Sequence, residues 1–94
     1  AGEEVIEGLP NRASIYPNPF EDKVTVSFIN ESNDKEVSIS VYNLVGALVY
    51  SKNYAVESEA FFNQTIDLSE LPAGLYTIHT ACPSFMQTDK ILKR

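Results

Sequence analysis

His79 and Cys82 are the residues best suited to covalent chemistry, because a thiolate attacks carbonyls and an imidazole can take its proton. They are the only histidine and the only cysteine in the chain. They stand three apart in a run that alternates like a strand, so they point to opposite faces of a sheet. The spacing predicts an outward His79 and a buried or edge Cys82, not a dyad. Acidic pairs occur at Glu21-Asp22, Asp34/Glu36 and Glu57/Glu59. None follows the D-x-D-x-D-G loop of a calcium site, so a solvated acidic surface is the simpler reading. A glycosidase pair needs a cleft, and a small sandwich offers little concavity. Tyr42, Tyr50, Tyr54, Phe61 and Phe62 are the set that a carbohydrate platform would use, although aromatics in strands usually pack. Asn30-Glu31-Ser32 and Asn63-Gln64-Thr65 are sequons, a tripeptide common by chance. One cysteine excludes an internal disulfide, and no Cys/His cluster matches a structural zinc. No cofactor, no metal and no catalysis are expected.

Charge narrows the partners. The 94 residues carry a formal net charge of −6. A nucleic-acid binder normally carries a basic stripe, so no nucleic acid is expected. No apolar run approaches the roughly 18 residues of a membrane helix. The charge is uneven: Lys90, Lys93 and Arg94 crowd the C-terminus, whereas residues 1–11 hold Glu3, Glu4 and Glu7 and no basic group. Lysines on an edge strand discourage aggregation, which is one reading of that basic tail.

The elements that would position these groups are strands. Val24, Val26 and Phe28 alternate with Lys23, Thr25 and Ser27. Val37, Ile39 and Val41 alternate with Ser38 and Ser40. Phe62, Gln64, Ile66 and Leu68 alternate with Asn63, Thr65 and Asp67. Tyr76, Ile78 and Thr80 stand opposite Leu75, Thr77 and His79, and Phe85–Leu92 supplies a last strand. Period two with β-branched residues marks half-buried strands, and no segment shows helical spacing. Ala13–Tyr16 runs into Pro17-Asn18-Pro19, which predicts a short edge strand. Asn43-Leu44-Val45-Gly46 predicts a tight hairpin with Gly46 at positive φ. The expected core includes Val24, Val26, Phe28, Val37, Ile39, Val41, Ile66, Leu71, Tyr76 and Ile78. About seven short strands in a chain of this length predict an all-β, immunoglobulin-like antiparallel β-sandwich. Leu71-Pro72-Ala73-Gly74-Leu75-Tyr76 has the form of a tyrosine corner, in which the Tyr hydroxyl bonds backbone a few residues upstream. Residues 1–11 have linker composition, with Gly2, Gly8 and Pro10, and residues 12–94 form the domain. The chain does not begin with Met, and it reads as the rear portion of a longer protein.

Four motifs then add a resemblance. Ile15-Tyr16-Pro17-Asn18-Pro19-Phe20 before Val24-Thr25-Val26 resembles the opening of the type IX (Por) secretion system C-terminal sorting domain, type A. Val41–Val49 resembles its central hairpin, Ile66–Tyr76 its "DLSxLPAGxY" segment and Lys90–Lys93 its basic terminal motif. The resemblance spans Ala13–Arg94. It implies an immunoglobulin-like domain at the C-terminus of a protein exported by Gram-negative Bacteroidota. The implied partners are type IX translocon components, an outer-membrane sortase and the N-terminal cargo domains of the parent protein. The implied route is the periplasm in transit, then the outer membrane, cell surface or medium. Recognition is expected to rest on Lys90, Ile91, Lys93 and Arg94, with Pro72, Gly74, Tyr76 and Gly46 shaping rigid corners. Gly2, Gly8, Leu9 and Pro10 are the expected cleavage linker, because proteolysis needs extended backbone. Lys90 and Lys93 are expected to be exposed, so that changing both to Gln spares stability. An edge-strand homodimer is a further expectation, and an immunoglobulin- or fibronectin-like adhesion or carbohydrate-binding module is the competing reading.

Overall fold

The computed structural model describes residues 13–31 and 33–94. The alternating runs become strands where expected: β1 (Ser14–Tyr16), β2 (Lys23–Asn30), β3 (Glu36–Tyr42), β4 (Leu48–Ala55), β5 (Ala60–Asp67), β6 (Gly74–Cys82) and β7 (Phe85–Lys93). They form two sheets, β1-β2-β5 and β4-β3-β6-β7, and all strand pairs are antiparallel. This is the strand distribution of an immunoglobulin-like sandwich, with the short β1 at an edge as its prolines require. The grouping 1–11 and the linker residues Gly2, Gly8, Leu9 and Pro10 lie outside the described residues.

The inward side chains of the two sheets meet as one core. Val24, Val26, Phe28 and Ile66 come from one sheet, and Val37, Ile39, Val41, Tyr76, Ile78 and Ile91 from the other. Burial of this apolar surface is the main favourable term, since no disulfide contributes. Leu71, expected in the core, is only half-buried and packs at its margin, because it sits in the corner between β5 and β6 instead of on a strand. Phe28 packs in a tilted pair with Phe62 and edge-to-face with Phe85, at ring centroid distances of 5.1 and 5.3 Å.

Loops are fixed by side chains as well as by backbone. Asn43 Oδ1 accepts from the amides of Val45 and Ala47 at 3.2 and 2.9 Å. Gly46 closes that hairpin with a φ of 88°, a conformation that costs a side-chain-bearing residue energy. At the opposite end of the sandwich, Asn30 is 2% exposed and donates to the carbonyls of Asp34 and Glu57. It therefore staples two intersheet connections, and its sequon is a structural amide, not a surface acceptor.

Candidate functional site

Antiparallel register sends the starts of β2, β4 and β6 and the ends of β3, β5 and β7 to one pole of the sandwich. All four sequence motifs meet there, although the first and last lie more than seventy residues apart. Hydrogen bonds tie the first motif to the last. Phe20, buried behind the prolines, donates its amide to the Leu92 carbonyl at 2.8 Å and accepts the Arg94 amide at 2.9 Å. It forms an isolated parallel bridge with Lys93. Asn18 completes the latch: Nδ2 donates to the Lys90 carbonyl and Oδ1 accepts the Leu92 amide, both at 3.0 Å. The Pro17–Phe20 segment thus covers the free edge of β7, a role for which exposed edge strands otherwise need charge or bulges. The Tyr16-Pro17 and Asn18-Pro19 peptide bonds are both cis. Further along β7, Gln87 clamps the backbone of Ala13 through both its amide atoms, at 3.0 and 2.9 Å.

The corner between β5 and β6 is built as the sequence predicts. The Tyr76 hydroxyl donates to the Pro72 carbonyl at 2.5 Å, while its ring is buried in the core. Gly74 has a φ of 152°, outside the range that side chains favour. Asp67 accepts from the Ser69 amide at 2.9 Å. The Ser69 side-chain and backbone hydrogen bonds hold the Asp67 carboxyl below its usual range, against a small opposing effect of desolvation.

The structure corrects the expectation of an exposed basic tail. Lys93 is 6% exposed, and its ammonium donates to the carbonyls of Leu68, Ser69 and Leu71 at 2.9, 3.1 and 2.5 Å. A lysine ammonium has three protons, and these three acceptors are the backbone of the "DLSELPAG" corner. The physical reason is period two: Lys93 shares the inward face of β7 with the buried Ile91. Changing Lys93 to Gln will therefore not spare stability. Lys90, Leu92 and Arg94 occupy the outward face and are exposed. Of the residues expected to serve recognition, Ile91, Lys93 and Tyr76 are buried, and Gly46 and Gly74 set backbone turns.

The other chemistry-bearing residues separate. His79 faces outward, where Nδ1 pairs with the Thr88 hydroxyl at 3.0 Å, and Cys82 is buried. The aromatic set does not make one platform. Tyr50, Tyr54 and Phe62 pack against the core, Phe61 projects from the three-stranded sheet, and Tyr42 lies on the four-stranded one. The Tyr50 and Tyr54 hydroxyls bond each other. Burial, then that bond, raises the Tyr50 pKa well above the normal tyrosine range. Asp34 turns inward and accepts from the Ser84 hydroxyl at 2.5 Å.

A polar plug under a corner and a strand edge sealed by the opposite end of the chain define a rigid sandwich whose terminal strand is part of the fold. Residues 14–94 match the family described as "Secretion system C-terminal sorting domain". The chain belongs to that family, the C-terminal sorting domains of type IX secretion. Membership implies export to the outer membrane or cell surface and engagement with secretion machinery. Among solved structures, the chain is similar to the crystal structure of dimeric latent PorU from Porphyromonas gingivalis, with a TM-score of 0.66 and 19% identity. The match covers 97% of this chain and 10% of that one, and at this identity it shows a shared fold. No curated protein matches the chain.

Proposed function

We propose that this domain is a folded export address, which directs an N-terminal cargo through the type IX outer-membrane translocon. An outer-membrane sortase then removes the domain and attaches the cargo to the cell surface. The observation that carries the reading is the family match over residues 14–94. The geometry supports it in a specific way. A signal read after folding must be a rigid surface, and the pole that joins all four motifs is such a surface. In this reading residues 1–11, with Gly2, Gly8, Leu9 and Pro10, are the segment the sortase cuts. Gly46, Pro72, Gly74, Tyr76, Ile91 and Lys93 act by holding the pole in shape, and Lys90 and Arg94 present charge from it. The domain is an address, not a catalyst. The cargo passes through the periplasm before it reaches the outer membrane and cell surface.

The test is a passenger enzyme carrying its own export signal to the periplasm and the 94-residue chain at its C-terminus. Surface or medium activity should appear with the chain attached. Without it, the passenger should remain periplasmic. Equal export of the passenger lacking the chain would overturn the reading. Replacing residues 1–11 with an unrelated rigid segment should leave translocation intact and abolish release of the domain.

The PorU of that crystal structure is dimeric. In this chain, β4 and β5 are long edge strands, one in each sheet, and are the surfaces a second copy would extend. Light scattering at high concentration should then show a dimer, and monomer alone would remove this proposal.

A further inference from the structure

Once the structural duties of the motif residues are assigned, a small set remains on one face. In the hairpin motif, Asn43 and Gly46 make the turn, whereas Leu44 is 77% exposed. In the corner motif, Pro72, Gly74 and Tyr76 make the corner, whereas Leu75 is 38% exposed. In the terminal motif, Ile91 and Lys93 point inward, whereas Leu92 is 43% exposed, with Lys90 and Arg94 exposed on the same face.

These leftovers gather at one pole. Leu75 and Leu92 are direct cross-strand partners. Tyr42, the last residue of β3, pairs with Thr77, and Leu44 lies in the turn just beyond it at the same pole. The next row across the sheet is Leu48, Tyr42, Thr77 and Lys90. The row after that is wholly polar: Ser51, Ser40, His79 and Thr88. The apolar strip is therefore confined to the motif pole, and its free end is flanked by two cations in a chain of net charge −6. A contiguous exposed apolar strip rimmed by charge marks an interaction surface.

We infer that Leu44, Leu75 and Leu92, with Lys90 and Arg94, form the surface by which a protein of the secretion machinery grips the folded domain. This rests on the export reading above. The partner surface it fits is an apolar strip bordered by carboxylates. Charge selects this occupant. A second copy packed strip on strip, with the two-fold at Leu75 and Leu92, would bring the cations Lys90 and Arg94 of both copies together, a like-charge contact that interfaces avoid. An anionic lipid surface would meet an acidic molecule at close range.

The experiment uses the passenger carrying the complete chain. Leu75→Thr with Leu92→Thr keeps β propensity on an exposed face. It should leave the melting temperature within a few degrees and cut export at least tenfold. Lys90→Glu with Arg94→Glu should cut export by a similar factor. Ile29→Thr with Phe61→Thr removes a cross-strand apolar pair from the outer face of the other sheet and should leave export unchanged. If the whole domain is needed but the double leucine variant exports normally, this inference fails while the export reading stands. If the domain is dispensable, the export reading itself fails. Binding of the wild-type domain to phosphatidylglycerol vesicles, lost in the leucine variant, would reassign the strip to lipid. A dimer that the leucine variant converts to monomer would reassign it to self-association. Either result overturns the inference.

Discussion

Lys93→Met should lower the stability of the domain by about 3–5 kcal/mol, while Lys90→Gln, three residues earlier, changes it by less than about 0.5 kcal/mol. Methionine keeps the apolar stem and removes the ammonium, so packing is largely preserved. What is lost is the donor to the carbonyls of Leu68, Ser69 and Leu71. The Leu68 carbonyl keeps the bond from the Leu71 amide at 3.1 Å. A buried carbonyl left without a donor costs about 1–3 kcal/mol, and water reaching those of Ser69 and Leu71 will moderate the sum. A domain of this size has about 5–14 kcal/mol to lose. The melting temperature should therefore fall by roughly 15–30 °C, measured by circular dichroism. A Lys93→Met variant within about 0.5 kcal/mol of wild type would show that the ammonium does not hold the corner. Deleting Lys93 and Arg94 should be worse, since it also removes the Arg94 amide that Phe20 accepts and the bridge beside it. Loss of export after such a truncation is then loss of fold, not only loss of a charge that a receptor reads.

Tyr76→Ala should cost about 3–5 kcal/mol and Tyr76→Phe about 1–2 kcal/mol. The alanine variant loses a buried ring and leaves a cavity beside Ile78 and Ile91, whereas phenylalanine loses only the bond to the Pro72 carbonyl. The difference between the two, read from urea unfolding, separates packing from the hydrogen bond. Equal stability of the phenylalanine variant and wild type would show that the corner holds without its hydroxyl. The two sites are linked through one loop, because the Leu71 and Pro72 carbonyls are adjacent and are bonded by Lys93 and Tyr76 respectively. Tyr76→Phe combined with Lys93→Met should therefore be non-additive.

Much of this architecture is legible in residue order. Val24/Val26/Phe28 and Val37/Ile39/Val41 specify inward faces by alternation alone, and Asn43 with Gly46 specifies a turn by chemistry. Tyr76 four residues after Pro72 specifies the corner. What alternation could not supply was partnership across the sheets. Nothing in Pro17-Asn18-Pro19-Phe20 says that its Asn and Phe bond the last strand, because that contact depends on how two sheets close. Lys93 is different, since its signal was present: it is in phase with Ile91, and a buried Ile91 forces it inward. Reading the terminal cations as one cluster obscured that the strand splits them, Lys90 and Arg94 outward and Lys93 inward. The recognition set expected from the resemblance likewise divides into residues that build the pole and residues that project from it.

If the machinery reads a folded surface, export of the passenger should follow the folded fraction of the domain. The comparison runs across Tyr76→Phe, Tyr76→Ala and Lys93→Met, each measured for unfolding and for surface activity in parallel. Variants stable enough to remain folded should export normally, and those unfolded at the growth temperature should remain in the periplasm. An unfolded Tyr76→Ala or Lys93→Met domain that still exports at the wild-type level would contradict a folded address.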